Sequence, residues 1–173
     1  DVCSSDLIED WTQGMVMTGA VTTIINKVKQ GRTWLTVTGC PGEGKSTAGY
    51  LVLKRLHEQG REVFIVKSPD DYFKVKDKRQ PVLLLDDIFG SLTFDVDKMR
   101  KWQDVLSDVL ALSEHKAQVL DTNKKKAELT VILVSRLSIL REVSKNLGKF
   151  KHLVLHQDNV VNLTEMRVAD TEK

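Results

Sequence analysis

"TWLTVTGCPGEGKST", residues 33–47, runs from apolar and β-branched residues into a glycine-rich turn and then to a lysine and two hydroxyl residues. The first part, to residue 39, has the β-branched and aromatic content of a buried strand. The chain from Lys45, "KSTAGYLVLKRLHEQG", reads as a helix closed by Gly60. Between strand and helix, Gly39 to Ser46 satisfies the phosphate-loop pattern G-x-x-x-x-G-K-[ST] at every fixed position. Gly39, Gly42 and Gly44 let the backbone wrap with its N–H groups inward, where phosphate oxygens meet several donors and no side chain. The helix start adds the positive end of its dipole. On this reading Gly39, Cys40, Pro41, Gly42, Glu43, Gly44, Lys45, Ser46 and Thr47 form a nucleotide-binding loop. Lys45 is placed to reach the β and γ phosphates, and the Ser46 hydroxyl to ligate Mg²⁺. A glycine turn that merely joins strand to helix is the competing reading, and pattern and context together disfavour it.

A second stretch completes the chemistry. "PVLLLDDIFG", residues 81–90, is an apolar run ending on two carboxylates. Such a run suits a central parallel strand, apolar on both faces. An acid at the tip of a second buried strand supports the metal in phosphate-loop nucleoside triphosphatases. Asp86, directly after the run, is the better candidate for that metal. Without the phosphate loop, both carboxylates would read as capping or turn residues. "LTVILVSR", residues 129–136, supplies a further strand, with Ser135 and Arg136 at the end where open α/β sheets bind ligands. Arg136 is the only charge between Leu129 and Leu140, and its planar guanidinium suits a γ-phosphate. A surface arginine paired with a carboxylate is the alternative.

Around these motifs, helical and extended segments alternate without a linker or repeat, as in a parallel sheet covered by helices on both faces. "AVTTIINKVKQ", 20–30, spaces its apolar residues as an amphipathic helix ended by Gly31. "EVFIVK" is a strand, and Ser68, Pro69 and two acids open a helix at "SPDDYFK". One long helix is expected from the Asp95 cap to residue 120, with Met99 and Trp102 in the core, and another over "RLSILREVSKNLG". "DTNKKKAE", 121–128, reads as a solvated basic loop. For the fifth strand, "NVVNL" at 159–163 is favoured over "HLVL" at 152–155, which suits a helix end equally well.

Composition bounds the remaining classes. With 173 residues and 41% hydrophobic content, the chain builds one ordinary core. Its 26 basic and 24 acidic residues leave +2, which argues against a polyanion-coating protein or a specific nucleic-acid partner. The apolar runs are too short to span a bilayer and no signal-peptide pattern opens the chain, so a cytoplasmic location is expected. The two cysteines, Cys3 and Cys40, make no disulfide framework, and the four histidines have no metal-like spacing. "DVCSSDL", residues 1–7, matches a translated sequencing-adapter end and is kept out of fold reasoning. Residues 1–14 are expected to be an N-terminal extension and 15–173 the phosphate-loop nucleoside triphosphatase core, a piece of a longer protein.

"TVTGCPGEGKST", "VLLLDDIFG" with the following "FDVDKMRKW", and "VILVSR" together resemble the core of the STAND nucleoside triphosphatases, most closely the group called novel STAND NTPase 3. The resemblance covers roughly residues 15–165 and implies a three-layer α/β phosphate-loop fold with a five-stranded parallel sheet in the order 5-1-4-3-2. It implies a regulatory ATPase that binds ATP or ADP with Mg²⁺, hydrolyses slowly and switches signalling or oligomerisation. It also places Met17 to Val21 near the base, with Lys45, Asp87 and Arg136 as catalytic residues and Ser46 and Asp86 as metal ligands. Two other classes stay open: a nucleotide-binding scaffold with little turnover, and a small-molecule kinase. The related ATPases often carry glutamate where this chain has Asp87, one methylene shorter.

Overall fold

The computed structural model describes residues 18–118 and 129–166. The adapter-like start, Met17 and the basic loop at 121–128 therefore lie outside the described residues. Helix α1 (Gly19–Lys29) precedes strand β1 (Trp34–Thr38), α2 (Lys45–Glu58), β2 (Val63–Val66), α3 (Pro69–Val75) and β3 (Val82–Asp86). Then come α4 (Val96–Lys101), α5 (Gln103–Gln118), β4 (Thr130–Val134), α6 (Leu137–Val143), a 3-10 turn (Gly148–Phe150), α7 (Lys151–Leu155) and β5 (Val160–Asn162). The five strands are parallel in the order β2-β3-β4-β1-β5, the expected order read from its other edge.

The sheet is apolar on both faces because two separate cores cover it. Leu83 and Leu85 of β3 and Val131 and Leu133 of β4 pack under α3 to α7. Val82, Leu84, Ile132 and Val134 pack under α1 and α2. Every residue of β1 and β4 is buried, so the continuous apolar runs of the sequence are what a central parallel strand requires. Gly49 sets how closely α2 lies on this sheet: a Cβ there would meet Leu84 Cδ1 at 3.0 Å and Val134 Cγ2 at 3.3 Å.

Local signals hold where a side chain satisfies the backbone. Ser68 accepts from the Asp71 N–H at 3.2 Å and Asp95 from the Lys98 N–H at 3.0 Å, capping α3 and α4. Gly60, at φ 85°, closes α2: its N–H donates to His57 O and that of Arg61 to Leu56 O. The segment 151–155 is helical and 160–162 is the fifth strand.

Two expected helices are shorter than the apolar spacing implies. The helix from Asp95 breaks at Trp102, whose N–H turns to Met99 O at 3.1 Å, tightening the chain as both side chains enter the core. The helix after Arg136 stops at Val143. There Ser144 Oγ donates to Arg141 O and Asn146 Nδ2 to Glu142 O, so side chains take carbonyls that further helix would use.

Candidate functional site

Strands β3, β4 and β1 lie side by side, and their C-terminal ends carry Asp86, Ser135 and Thr38. Among the described residues, three buried side-chain oxygens have no hydrogen-bond partner, and they are Thr38 Oγ1, Asp86 Oδ1 and Ser135 Oγ. An unmatched buried polar group costs about 1–3 kcal/mol, so three at one sheet edge mark a place where the protein leaves room for another molecule's polar atoms. Thr36 gives the contrast. Two residues earlier on the same face of β1, it accepts from Trp34 Nε1 at 2.9 Å and donates to Val154 O at 2.7 Å. The unmatched oxygens are thus confined to the end of the sheet where ligands bind in open α/β folds.

The glycine-rich turn lies over that edge. Gly42 and Gly44 have φ of 81° and 76°, the left-handed region that side-chain-bearing residues avoid, and Gly44 stands immediately before α2. Lys45 is 8% exposed and its ammonium donates to Cys40 O at 2.7 Å, so the side chain folds back along the loop. Glu43 Oε2 accepts from the Cys40 N–H at 2.7 Å and from Thr164 Oγ1 at 2.6 Å.

The carboxylates occupy distinct electrostatic settings. Burial holds the Asp86 carboxyl above the usual carboxylate range, opposed by the Ser46 hydroxyl beside it and by the Lys45 charge. Asp87 is also raised, by burial first and then by the Asp86 charge, with Arg136, Lys45 and Lys98 acting the other way. Asp87 adopts φ 52°, and its backbone is fixed on both sides: the N–H donates to Val134 O and the carbonyl accepts from the Gly90 N–H, each at 3.0 Å. Arg136 stands immediately before α6. Side-chain groups from β3, α2 and the β4–α6 junction therefore share one field.

Residues 15–173 match the family Novel STAND NTPase 3, and this match spans nearly the whole chain. The chain belongs to the novel STAND NTPase 3 family. It is accordingly a nucleotide-binding NTPase domain. Two solved structures share its fold. A closed-state structure of Hsp104 with ATPγS and FITC-casein superposes with TM-score 0.50 at 17% identity over 84% of this chain. The extended conformation of the S. cerevisiae Hsp104:casein complex gives TM-score 0.58 at 16% identity over 91%. This chain spans 28% and 29% of those chains. Among curated proteins none matches the sequence.

Within this STAND domain, Ser46 and Lys45 lie close enough to act on the Asp86 carboxyl group, and Arg136, Lys45 and Lys98 on that of Asp87. Of the expected base contacts, Met17 lies outside the described residues, Thr18, Gly19 and Ala20 keep exposed surface, and Val21 is fully buried in the core beneath α1. Sequence reading passed over Thr38 and Thr164. Thr38 carried a signal in its position directly before the glycine turn, whereas Thr164 reaches the turn only because β5 lies beside β1. Among the described residues, no helix is long and apolar enough to cross a membrane.

Proposed function

We propose that this domain binds ATP as its Mg²⁺ complex and hydrolyses it slowly, and that the bound nucleotide switches self-association or partner binding of a longer cytoplasmic protein. The observation that carries the reading is the buried, unpartnered Asp86 Oδ1 beside Ser46 and Lys45, beneath the glycine turn. The donor set suits Mg²⁺. Among the described residues no group of three His, Cys, Asp or Glu side chains gathers to hold a metal. Magnesium keeps most of its waters and takes only one or two protein oxygens beside those of the phosphates. Ser46 and Asp86 would hold it, and when bound it neutralises charge on the β and γ phosphates.

The other steps belong to the chain's own groups. The loop amides receive phosphate oxygens, and Lys45 leaves Cys40 O to pair with the β and γ phosphates. Arg136 pairs with the γ-phosphate. Asp87, whose raised pKa brings it nearer to neutrality as a base, accepts a proton from the attacking water. A second reading, a scaffold that holds nucleotide with little turnover, is favoured by the short Asp87 side chain on a backbone pinned at both its N–H and its carbonyl. Single-turnover hydrolysis of γ-labelled ATP separates the two. Release of labelled phosphate supports the ATPase reading, its absence with intact binding supports the scaffold, and transfer to an acceptor other than water would overturn both.

A further inference from the structure

The chain leaving β5 comes back to the phosphate loop. Thr164 Oγ1 donates to Glu43 Oε2 at 2.6 Å and accepts from the Cys40 N–H at 3.2 Å. The same Glu43 oxygen accepts from the Cys40 N–H at 2.7 Å. These bonds close a three-membered link between Cys40 at the entry of the loop, Glu43, and a residue 121 positions after Glu43. The link is packed as well as bonded. The space a side chain at Gly39 would need is taken by Glu43 Oε2, by Leu163 Cβ at 3.3 Å and by Thr164 Oγ1 at 3.4 Å. Thr164 is itself fixed from behind, since its N–H donates to Asn162 Oδ1 at 3.1 Å, and Asn162 donates onward to Glu165 Oε1 at 3.0 Å.

The Cys40 backbone is thereby held on both sides, its carbonyl by Lys45 and its N–H by Glu43 and Thr164. A carboxylate in a loop that receives a polyanion would repel it, unless its charge is met by donors and directed away. Here Cys40 N–H and Thr164 O–H supply those donors. When Lys45 leaves Cys40 O for a phosphate, the Glu43 and Thr164 side chains still hold the Cys40 N–H, beside the backbone bonds from the Glu43 N–H to Cys40 O at 3.4 Å and from the Leu137 N–H to Gly39 O at 3.3 Å.

We propose that Glu43 and Thr164 are positioning residues for nucleotide binding, and that their bond makes the segment after β5 part of the nucleotide site, transmitting occupancy to the chain beyond it. This rests on the nucleotide-binding reading above. Coupling of this kind is reciprocal: if nucleotide orders residues 163–166, then loosening those residues weakens nucleotide binding by the same factor.

The test measures binding of Mg·ATPγS by the whole chain and amide exchange over residues 160–166, with and without nucleotide. Thr164→Val should weaken binding by about 3- to 10-fold, the scale of the net contribution of one intramolecular hydrogen bond. Thr164→Ser, which restores the hydroxyl, should return wild-type affinity. Glu43→Gln keeps the shape and should weaken binding comparably, and adding Thr164→Val to it should cost little more, as for two members of one link. Nucleotide should slow exchange at 163–166 in the wild type and much less in Thr164→Val. Wild-type affinity in Thr164→Val, additive effects of the two changes, or equal exchange protection in both proteins would overturn the proposal. Failure of the wild type to bind any nucleotide would instead remove the reading beneath it.

Discussion

The Ser46 hydroxyl lies beside the Asp86 carboxyl group, although a helix, a strand and a second helix separate them in the chain. The phosphate loop places one at the start of α2 and the apolar run places the other at the end of β3. Their meeting leaves Asp86 Oδ1 buried and unmatched.

That carboxylate destabilises the nucleotide-free domain. Burial raises its pKa above the ordinary 3.8, so the folded state holds the proton more tightly than the unfolded chain. The stabilising contribution of the protonated form is complete below that ordinary value and is lost as pH rises through the higher folded-state pKa. Asp86→Asn keeps an acceptor for Ser46 and removes the charge. At pH 7 and without nucleotide it should therefore melt a few degrees higher than wild type, with the gap closing as pH falls toward 4. Melting curves across pH check this, and a pH-independent gap would contradict it.

Asp87 tests the chemical step separately. Asp87→Asn should leave nucleotide affinity close to wild type and slow single-turnover hydrolysis by about 100-fold or more, the loss expected when a general base is removed. Unchanged turnover would assign water activation to another group.

Arg136 should distinguish triphosphate from diphosphate. Arg136→Gln removes the planar charge while keeping length, and the preference for ATPγS over ADP should shrink roughly 10-fold. Equal losses for both nucleotides would place the guanidinium away from the γ-phosphate. Competition binding with the two nucleotides measures the ratio.

Gly49 carries a prediction about packing. Its Cβ position is already filled to 3.0 Å by Leu84 and 3.3 Å by Val134, so Gly49→Leu has to push α2 off the sheet. Overpacking of this kind costs about 1–3 kcal/mol, more than the ~1 kcal/mol gained by replacing glycine in a helix. Urea unfolding should show a lower midpoint.

Much of this site could be read from residues alone, because each piece is local. Gly39 to Ser46 declares a loop, the apolar run to Asp86 declares a strand end, and Ser135 and Arg136 mark another. The sheet order came from the resemblance together with the placement of the Ser135–Arg136 strand, and the structure has it. What resisted reading depends on contacts distant in sequence or on competition within a turn. The breaks at Trp102 and after Val143 follow from core entry and side-chain capture of carbonyls, which periodicity does not register. Thr164 meets Glu43 because β5 is hydrogen-bonded to β1, so no local pattern around "NLTE" announces it. Thr38 differs from Thr36 only in what its neighbours offer.

The central claim is that Ser46 and Asp86 hold the metal of a bound nucleotide complex, and calorimetric titration of ATPγS in the presence and absence of Mg²⁺ tests it most directly. Wild type should bind more tightly with Mg²⁺ by about 10-fold or more, and Asp86→Asn should lose that difference while remaining folded. Equal affinity with and without Mg²⁺ in the wild type, or an undiminished Mg²⁺ effect in Asp86→Asn, would contradict it.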